Sequence, residues 1–456
     1  MPSLERWVYF FGNGRADGSA AMRDILGGKG AGLAEMANLG LPVPPGFTIS
    51  AKLCVSYVET ASFPDGLREE VERHLKQLEQ ATGKKFGSPE NPLLVSVRSG
   101  AAVSMPGMME TILNLGLNDE TVRGLVAGSG NPRFAYDSYR RFVQMYGDVV
   151  FDLGKEPFEQ VLKELKRRRE VERDIDLPPE DLQALVREFK AIVQAKQGVP
   201  FPDDPMAQLW RAIEAVFKSW NTRRAADYRR VHGIPDDLGT AVNVVAMVYG
   251  NMGADSGTGV AFTRDCRTGE QVLNGDFLAN AQGEDVVSGA RTPEPLGKLN
   301  RGKLAKVYRE LERIAAKLER HFRDVQDIEF TFERGTPRPS RSRSPCRLRC
   351  RRSSGGCTSS ATAGPTARPP CGTSWAARGR DSPRWPTWPS PFPPASRSPP
   401  SSASPISRPA PSPRACAKKS SAISSSWSRR PARSSAARTT PSSCPCAPAR
   451  PCRCPA

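Results

Sequence analysis

Apolar and polar residues follow two different patterns along residues 1–335. Short apolar runs or alternating segments predict strands, and these lie toward the two ends of that stretch: GFTIS, LLVSVR, TAVNVVAMVYG, GTGVAFTR, QVLNGDFLANA and DIEFTFE. Between roughly residues 118 and 232, apolar residues recur at helical spacing, and a charged helix is predicted over roughly 298–323. The pattern predicts an α+β fold in which a helical insertion separates two β-containing lobes.

The segment GGKGAG, Gly27–Gly32, is the first candidate for chemistry. A helix is predicted to begin at about Ala31 and to end at Gly40. Glycines let backbone N–H groups approach a phosphate, a helix N-terminus adds positive potential, and Lys29 supplies a point charge. The segment is not a Walker A motif, because Lys29 is not followed by Ser or Thr. The alternative interpretation is a tight loop-to-helix turn with an exposed lysine.

The segment SVRSGAAVSMPGMM follows a short buried strand, Leu93–Arg98. Arg98 stands at the strand end, where its guanidinium could grip phosphate oxygens. Gly107 lies in the loop that follows, and this loop is more apolar than is usual for a solvent-exposed turn without a function. The methionines of this loop are equally consistent with ordinary packing, so the two interpretations stay open here.

Two acids, Asp327 and Glu329, are spaced by two in the predicted strand DIEFTFE, so both point to one face. Paired carboxylates on one face suit a Mg²⁺ ion shared with substrate phosphates. A solvent-facing strand with alternating acids is the alternative, and for an isolated pair it is the commoner arrangement.

Composition divides the chain at about residue 335. Residues 336–456 contain 22 Lys and Arg but the single acid Asp381, whereas residues 1–335 contain 44 Lys and Arg and 47 Asp and Glu. The net charge of +18 therefore comes from the tail. The tail also has 24 of the 42 prolines, and its only Leu, Ile, Val or Met residues are Leu348, Ile406 and Ile423. Such a segment buries too little apolar surface to offset its ordering entropy, so we predict that it is disordered.

Three origins of the tail are considered. It could be an Arg/Ser-rich nucleic-acid arm or a native linker. It could also be the product of a GC-rich gene read in another frame, which accounts for the joint excess of Arg, Pro, Ala, Ser and Cys and the near loss of Asp, Glu, Lys, Tyr and Phe. We favour the frame change.

The remaining candidate ligands suggest no metal or redox centre in residues 1–335. Cys54 and Cys266 are isolated and have no zinc-ligand spacing, which indicates a reduced, cytoplasmic protein. His74, His232 and His321 lie in charged helical segments without a catalytic setting, so structural roles are expected. No apolar run is long enough to span a membrane.

Taken together and in order, these segments resemble a known family. LGGKGAGLAEM, GLPVPPGFTIS, VSVRSGAAVSMPGMMETILNLGLND, RFAYDSYRRFVQMYGDVV, GTGVAFTR, NAQGEDVVSGARTP and QDIEFTFERG are similar to the nucleotide-binding part of the pyruvate, phosphate dikinases, over about residues 7–335. The resemblance implies an ATP-grasp fold, in which two lobes clamp ATP, with Mg²⁺ bound to the polyphosphate.

The resemblance also implies site residues. Phosphate binding is implied for Lys29, Arg98 and Arg141, a phosphate-covering loop for Gly107, and Mg²⁺ binding for Asp327 and Glu329. Thr258 and Glu284 match nucleotide contacts of the family, and Met247 matches the adenine-side hinge. The implied ligands are ATP and phosphate, with Mg²⁺ as cofactor.

In that family ATP, pyruvate and phosphate are converted to AMP, phosphoenolpyruvate and pyrophosphate. A catalytic histidine on a swivelling domain carries the phosphoryl group to a pyruvate-binding barrel, and the enzymes are often homodimeric. There, the strand after FERG ends in Gln-Thr-Arg and completes the nucleotide site, but here the resemblance stops at Gly335. We therefore expect residues 1–335 to lack their last strand, and the chain to be unable to complete the reaction or to dimerise as the family does. The alternatives are a residual nucleotide-binding module, or non-specific nucleic-acid binding through the tail.

Overall fold

The computed structural model describes residues 6–287 and 291–343. Its strands in chain order are β1 (Val8–Gly12), β2 (Arg15–Ala16), β3 (Gly46–Ile49), β4 (Lys85–Phe86), β5 (Pro92–Leu93), β6 (Val95–Gly100), β7 (Thr111–Leu115), β8 (Ala241–Ala246), β9 (Gly257–Phe262), β10 (Asn274–Ala279), β11 (Glu294–Pro295), β12 (Asp327–Glu333) and β13 (Thr336–Arg343). The strands predicted from the sequence coincide with β3, with β5 and β6 taken together, and with β8, β9, β10 and β12.

Helices precede, separate and follow these strands. They are α1 (Arg23–Asn38), α2 (Ala51–Thr60), α3 (Leu67–Thr82), α4 (Thr121–Ser129), α5 (Pro132–Val149), α6 (Glu156–Arg169), α7 (Pro179–Gln197), α8 (Pro205–Ser219), α9 (Arg223–His232), α10 (Gly283–Val287) and α11 (Ala305–Phe322). Short 3₁₀ helices lie at Asp174–Asp176, Asp236–Leu238, Leu296–Asn300 and Gly302–Leu304. Helices α4 to α9 occupy the stretch for which the sequence predicts a helical insertion.

Two antiparallel sheets form the framework of the two lobes. The first has the order β2-β1-β3-β8-β6-β7 and the second the order β11-β10-β9-β12-β13. A small parallel pair, β4 with β5, lies apart from them. The chain leaves the first sheet at β7, makes the helical insertion, and returns to the middle of the same sheet at β8. The predicted α+β class is confirmed.

Each sheet buries its own apolar cluster. The first sheet and the helical insertion enclose the larger cluster, which includes Phe47, Val97 and Tyr146. The second sheet packs against the apolar face of α11, and Phe330 is buried between them. Helix α1 contributes Met36 to this second cluster, so it joins the strands of the first sheet to the second lobe.

Helix α1 begins earlier than the sequence predicts. It starts at Arg23, not at about Ala31, and it is interrupted at Gly27, which has φ 66° and ψ 173°. Only glycine adopts this conformation without strain, so the glycine-rich segment is a kink inside a helix and not a loop before one. Lys29 consequently lies in the first turn after the kink.

The kink exists because two backbone segments meet there. A Cβ on Gly27 would lie 1.4 Å from the carbonyl oxygen of Gly100, and the N–H of Gly28 donates to the carbonyl of Ala101 at 2.9 Å. The buried side chain of Asn243 closes the same contact, since a Cβ on Gly100 would lie 2.4 Å from its Nδ2. The start of the second helical segment is thus held against the end of β6.

Strand β13 corrects a second prediction. The sequence places residues 336–343 in a disordered tail, but they pair antiparallel with β12 from Thr336 opposite Glu333 to Arg343 opposite Asp327. Pro337 and Pro339 are two residues apart, so both ring nitrogens point to the same side, which an edge strand tolerates because it has only one neighbour. Both prolines are buried, opposite Phe332 and Phe330. Residues 344–456, and with them most of the predicted tail, lie outside the described residues.

A buried network of ion pairs on α5 stabilises the helical insertion. Asp137 is 3% exposed and accepts from Arg140, which is also 3% exposed, and from Arg141 Nε at 3.2 Å. Burial alone would raise the pKa of Asp137, but the guanidinium groups of Arg140 and Arg141, and then Arg133, together lower it to about 2. The carboxylate therefore stays charged in the folded protein.

In the described ranges, no helix is long and apolar enough to cross a membrane.

Replacing Gly27 by alanine should destabilise the protein. The new Cβ would overlap the Gly100 carbonyl oxygen and would require a backbone conformation that alanine avoids, so we expect a loss of at least about 2 kcal/mol in the free energy of unfolding. Urea denaturation measures this value. The matched control is Gly128→Ala, because Gly128 lies inside α4 with no atom within 4 Å of an added Cβ. That control should be neutral or slightly stabilising, and an equal loss for both variants would contradict the interpretation.

The Asp137 network predicts a pH dependence of stability. The folded-state pKa, about 2, lies below the ordinary value of 3.8, so the stabilisation is complete above pH 4 to 5 and is lost as the pH falls toward 2. Asp137→Asn should cost roughly 3 kcal/mol at pH 7, because it leaves buried guanidinium groups without their carboxylate.

Urea denaturation of both proteins between pH 7 and pH 2 tests this. The difference between wild type and Asp137→Asn should shrink as the pH falls. Asp227→Asn is the control: Asp227 pairs with Arg230 at the surface and should matter by less than about 1 kcal/mol. A difference that stays constant down to pH 2 would show that the charge of Asp137 is not responsible.

Candidate functional site

A cleft lies between the first sheet, helix α1 and the outer strands of the second sheet. Its empty space, including the open mouth, is about 680 Å³. The lining residues come from both lobes: Lys29, Leu33, Pro44, Ser96, Arg98, Asn243, Val245, Ala246, Met247, Val248, Glu329, Thr331, Arg338 and Ser340. The cleft therefore contains four of the residues predicted from the sequence, namely Lys29, Arg98, Met247 and Glu329.

Lys29 and Arg98 meet in this cleft because their backbones are locked together. Lys29 follows the Gly27 kink, and Arg98 precedes Gly100 on β6, so the contact between the two glycines sets the distance between the two cations. Asn243 on β8 strengthens the arrangement: its Nδ2 donates to the carbonyl of Arg98 at 3.5 Å, and its Oδ1 accepts from the Thr48 hydroxyl at 2.8 Å. Both cations are thus presented by rigid elements.

The acids of β12 lie on the strand face opposite the core. Ile328, Phe330 and Phe332 are buried, whereas Asp327 and Glu329 are half-buried on the other face. Glu329 lines the cleft directly, and Asp327 lies one pleat further along the strand. Two carboxylates at this spacing fit Mg²⁺ if a polyphosphate supplies further oxygen ligands. Across residues 6–287 and 291–343, no group of three or more His, Cys, Asp or Glu residues gathers to hold a metal by itself.

The segment after β8 forms the wall around Met247 and is fixed to both lobes. The N–H of Met247 donates to the carbonyl of Leu94 at 2.9 Å, and the N–H of Tyr249 donates to Glu333 Oε2 at 2.8 Å. Burial, with the nearby Glu333 carboxylate, raises the pKa of Tyr249 well above its usual value, so the phenol stays neutral. The wall is apolar, as an adenine ring requires, and it spans the junction of the lobes.

Arg141 and Thr258 are not among the residues that line the cleft. Arg141 pairs with Asp137 and, through Nη1 at 3.2 Å, with Asp285 on α10. The Thr258 hydroxyl is buried and donates to the carbonyl of Phe330 at 3.1 Å. A Cβ on Gly283 would lie 3.9 Å from that hydroxyl, so Thr258 lies beneath the start of α10.

Two predicted residues give less information. The backbone of Glu284 belongs to α10, but its side chain lies outside what the structure describes. Gly107 has φ 71° in the turn between β6 and β7, and a Cβ there would meet no atom within 4 Å. Its positive φ explains the glycine, but it is not among the residues that line the cleft.

Several residues of the site were missed by sequence reasoning. Asn243 and Thr331 sit in strands whose pattern predicts only packing, and Glu333 was included in a predicted strand without a role. Asp285 lies next to Glu284 in the segment NAQGEDVV, so its acid was visible but its arginine partner was not. Arg338 and Ser340 were assigned to the disordered tail, and only the pairing of β13 with β12 brings them into the cleft.

Among the residues that the structure describes, the three histidines and the two cysteines, Cys54 and Cys266, are not part of the cleft lining. His74 is buried and its Nδ1 lies 2.7 Å from the Glu70 carbonyl oxygen, while His321 Nε2 lies 2.7 Å from Glu35 Oε1. Cys54 is a free thiol whose pKa is raised to about 11 by burial, so it remains protonated and unreactive at neutral pH.

The arrangement is suited to an anion that carries a cation. In the described part of the chain, Lys29, Arg98 and Arg338 line the cleft together with one carboxylate, Glu329. In proteins generally, cations and helix N-termini bind phosphate oxygens, and carboxylates bind Mg²⁺.

Comparisons with known proteins identify the family that the chain resembles. The family described as "Pyruvate phosphate dikinase, AMP/ATP-binding domain" matches residues 23–62 and 55–303. The chain is 54% identical over 344 residues to "Pyruvate, phosphate dikinase" of Rhizobium meliloti (strain 1021), and 51% identical over 334 residues to the enzyme of the same name from Clostridium symbiosum. It is 52% identical over 330 residues to "Pyruvate, phosphate dikinase 1, chloroplastic" of Arabidopsis thaliana.

These matches cover 73%, 73% and 72% of the present chain but only 38%, 38% and 34% of the relatives. The chain thus spans less than two fifths of the length of the curated relatives it matches. The family match covers more than half of the chain, including α1, the helical insertion and the strands from β3 to β11. The chain belongs to the pyruvate phosphate dikinase family, of which it contains the AMP/ATP-binding domain with its ATP-grasp fold.

Proposed function

We propose that residues 6–343 bind Mg·ATP in the cleft between the two lobes. The observation that carries the proposal is the meeting of Lys29 and Arg98 with Glu329 in one cleft, although more than 200 residues separate the cations from the acid. Isolated, each residue has an ordinary structural explanation. Cations on one wall and a carboxylate on the other suit a polyphosphate with its Mg²⁺.

The roles of the cleft residues follow from their chemistry. The base lies against Met247 and its apolar neighbours, and the phosphates lie between Lys29 and Arg98. Asp327 and Glu329 bind the Mg²⁺, which neutralises phosphate charge and orients the phosphoryl group when it is bound. The two acids are proposed as ligands together with phosphate oxygens.

Three further residues act on the site from outside its lining. Arg141 holds α10 through Asp285, and Thr258 supports the start of the same helix, so both position Glu284 for contact with the nucleotide. Gly107 provides the turn, with its positive φ, of a loop that covers the phosphates. We propose Arg141 as a positioning residue, in place of the direct phosphate contact implied by the resemblance, because its guanidinium is engaged by two carboxylates.

The whole dikinase reaction is a further step of the proposal. The described domain would supply the nucleotide half of the conversion of ATP, pyruvate and phosphate to AMP, phosphoenolpyruvate and pyrophosphate. The sequence has three histidines, His74, His232 and His321, and none of them lines the cleft, so the histidine carrier of the family reaction is not part of this nucleotide site. The composition of residues 344–456 supports a change of reading frame as the origin of this segment.

Binding of Mg·ATP should depend on Lys29. Titration calorimetry of the full chain should show saturable binding of Mg·ATP, weakened at least about tenfold by Lys29→Gln because a phosphate contact is lost. Lys76→Gln is the matched control: Lys76 is an exposed lysine of α3 that does not line the cleft, and its replacement should leave the affinity unchanged. Equal affinities for the wild type and Lys29→Gln would refute the phosphate role.

The isolated chain should not complete the dikinase reaction. Incubation with Mg·ATP, pyruvate and phosphate should yield no phosphoenolpyruvate above background, because the chain offers no histidine carrier in the cleft. The dikinase from Clostridium symbiosum, assayed in parallel, shows that the conditions allow turnover. Formation of phosphoenolpyruvate in proportion to the concentration of the chain would overturn this prediction without affecting the binding site.

A further inference from the structure

We infer that Arg338, on strand β13, is a nucleotide-binding residue that contacts the innermost phosphate of the bound nucleotide. The inference rests on the proposed Mg·ATP site and adds to it a residue that the resemblance does not supply, since the likeness to the dikinases stops at Gly335. Arg338 lines the same cleft as Lys29 and Arg98.

The side of β13 that Arg338 occupies is set by the strand pairing. Pro337 and Pro339 are buried with Phe332 and Phe330 on the core side, so the residue between them must face the cleft. Ser340, the extra residue of a bulge in the pairing of β13 with β12, also lines the cleft and donates its hydroxyl to the carbonyl of Glu329 at 3.2 Å. The alternation of proline with polar residues in the sequence TPRPS therefore has a structural reason.

The position along the cleft is set by the register. Arg338 lies directly opposite Thr331, midway between Glu329 and Glu333 on β12. Glu333 marks the hinge end, because it accepts the N–H of Tyr249, and Glu329 marks the metal end. These two acids are four residues apart, a span of about 13 Å along a strand. A nucleotide with its base at the hinge and its outer phosphates at the metal places its ribose and α-phosphate midway.

The charge of Arg338 is available for such a contact. Within residues 6–287 and 291–343 the guanidinium of Arg338 has no carboxylate partner, in contrast to Arg141, which is held by Asp137 and Asp285. A guanidinium prefers a phosphate oxygen to a neutral ribose hydroxyl, because the charge-assisted hydrogen bonds are shorter and stronger. The α-phosphate is shared by ATP and AMP but absent from adenosine, which makes the assignment testable.

The experiment is calorimetry of the full chain with Mg·ATP, AMP and adenosine. Arg338→Gln should weaken the binding of ATP and of AMP by about tenfold each and leave the affinity for adenosine unchanged. Arg338→Lys should recover part of the lost affinity. Lys29→Gln should weaken the binding of ATP far more than the binding of AMP, because Lys29 is proposed to contact the outer phosphates, which AMP lacks. Arg334→Gln is the matched control, because this substitution removes the same charge from the same hairpin. Arg334 itself is exposed and donates to the Gly128 carbonyl, outside the cleft lining.

The outcomes separate the two proposals. If the wild type binds ATP and AMP and Arg338→Gln binds them equally well, the assignment of Arg338 is wrong while the Mg·ATP site stands. A loss that is the same for adenosine as for AMP would also overturn it, because Arg338 would then shape the cleft and not bind phosphate. If the wild type binds none of the three probes, both proposals are refuted.

Discussion

The backbone contact between Gly27 and Gly100 is the constraint on which the rest of the site depends. It joins the second segment of α1 to the end of β6 so closely that no side chain fits between them. Lys29 follows one partner by two residues and Arg98 precedes the other by two. Their side chains therefore enter the same cleft from fixed positions on the backbone. Two like charges that repel each other are held together by a contact between uncharged atoms.

The same contact also explains why Asn243 is buried. A polar side chain between β3, β6 and α1 costs free energy unless its hydrogen bonds are made. Asn243 accepts from Thr48 and donates to the carbonyl of Arg98, and it fills the space that the missing side chains of Gly30 and Gly100 leave. The glycines and the asparagine are one unit. A larger residue at either glycine would displace the amide and, with it, the end of the strand that carries Arg98.

Sequence reasoning predicts most of the fold and part of the site, for reasons that particular residues make clear. Alternation in β12 predicts the shared face of Asp327 and Glu329, because strand periodicity depends only on neighbours in the chain. The predicted start of α1, at about Ala31, is wrong, because the kink at Gly27 is imposed by Gly100, which lies more than 70 residues later in the chain. The contact of Arg141 with Asp285 is hidden from the sequence for a similar reason, because the two residues are 144 positions apart. Contacts of this kind have no local signature.

Strand β13 is a case in which the amino-acid composition gives a wrong prediction, because it indicates disorder where the structure has an edge strand. A segment rich in Pro, Arg and Ser has too few apolar residues to form a core, but an edge strand does not need one of its own. It needs a row of backbone groups on β12, a few small apolar surfaces on one face, and tolerance of proline on the side without a neighbour. Pro337 and Pro339 meet these requirements, and the polar residues between and after them are left facing the cleft. The backbone of β12 thus determines which side chains of β13 enter the site, and in this chain it selects an arginine.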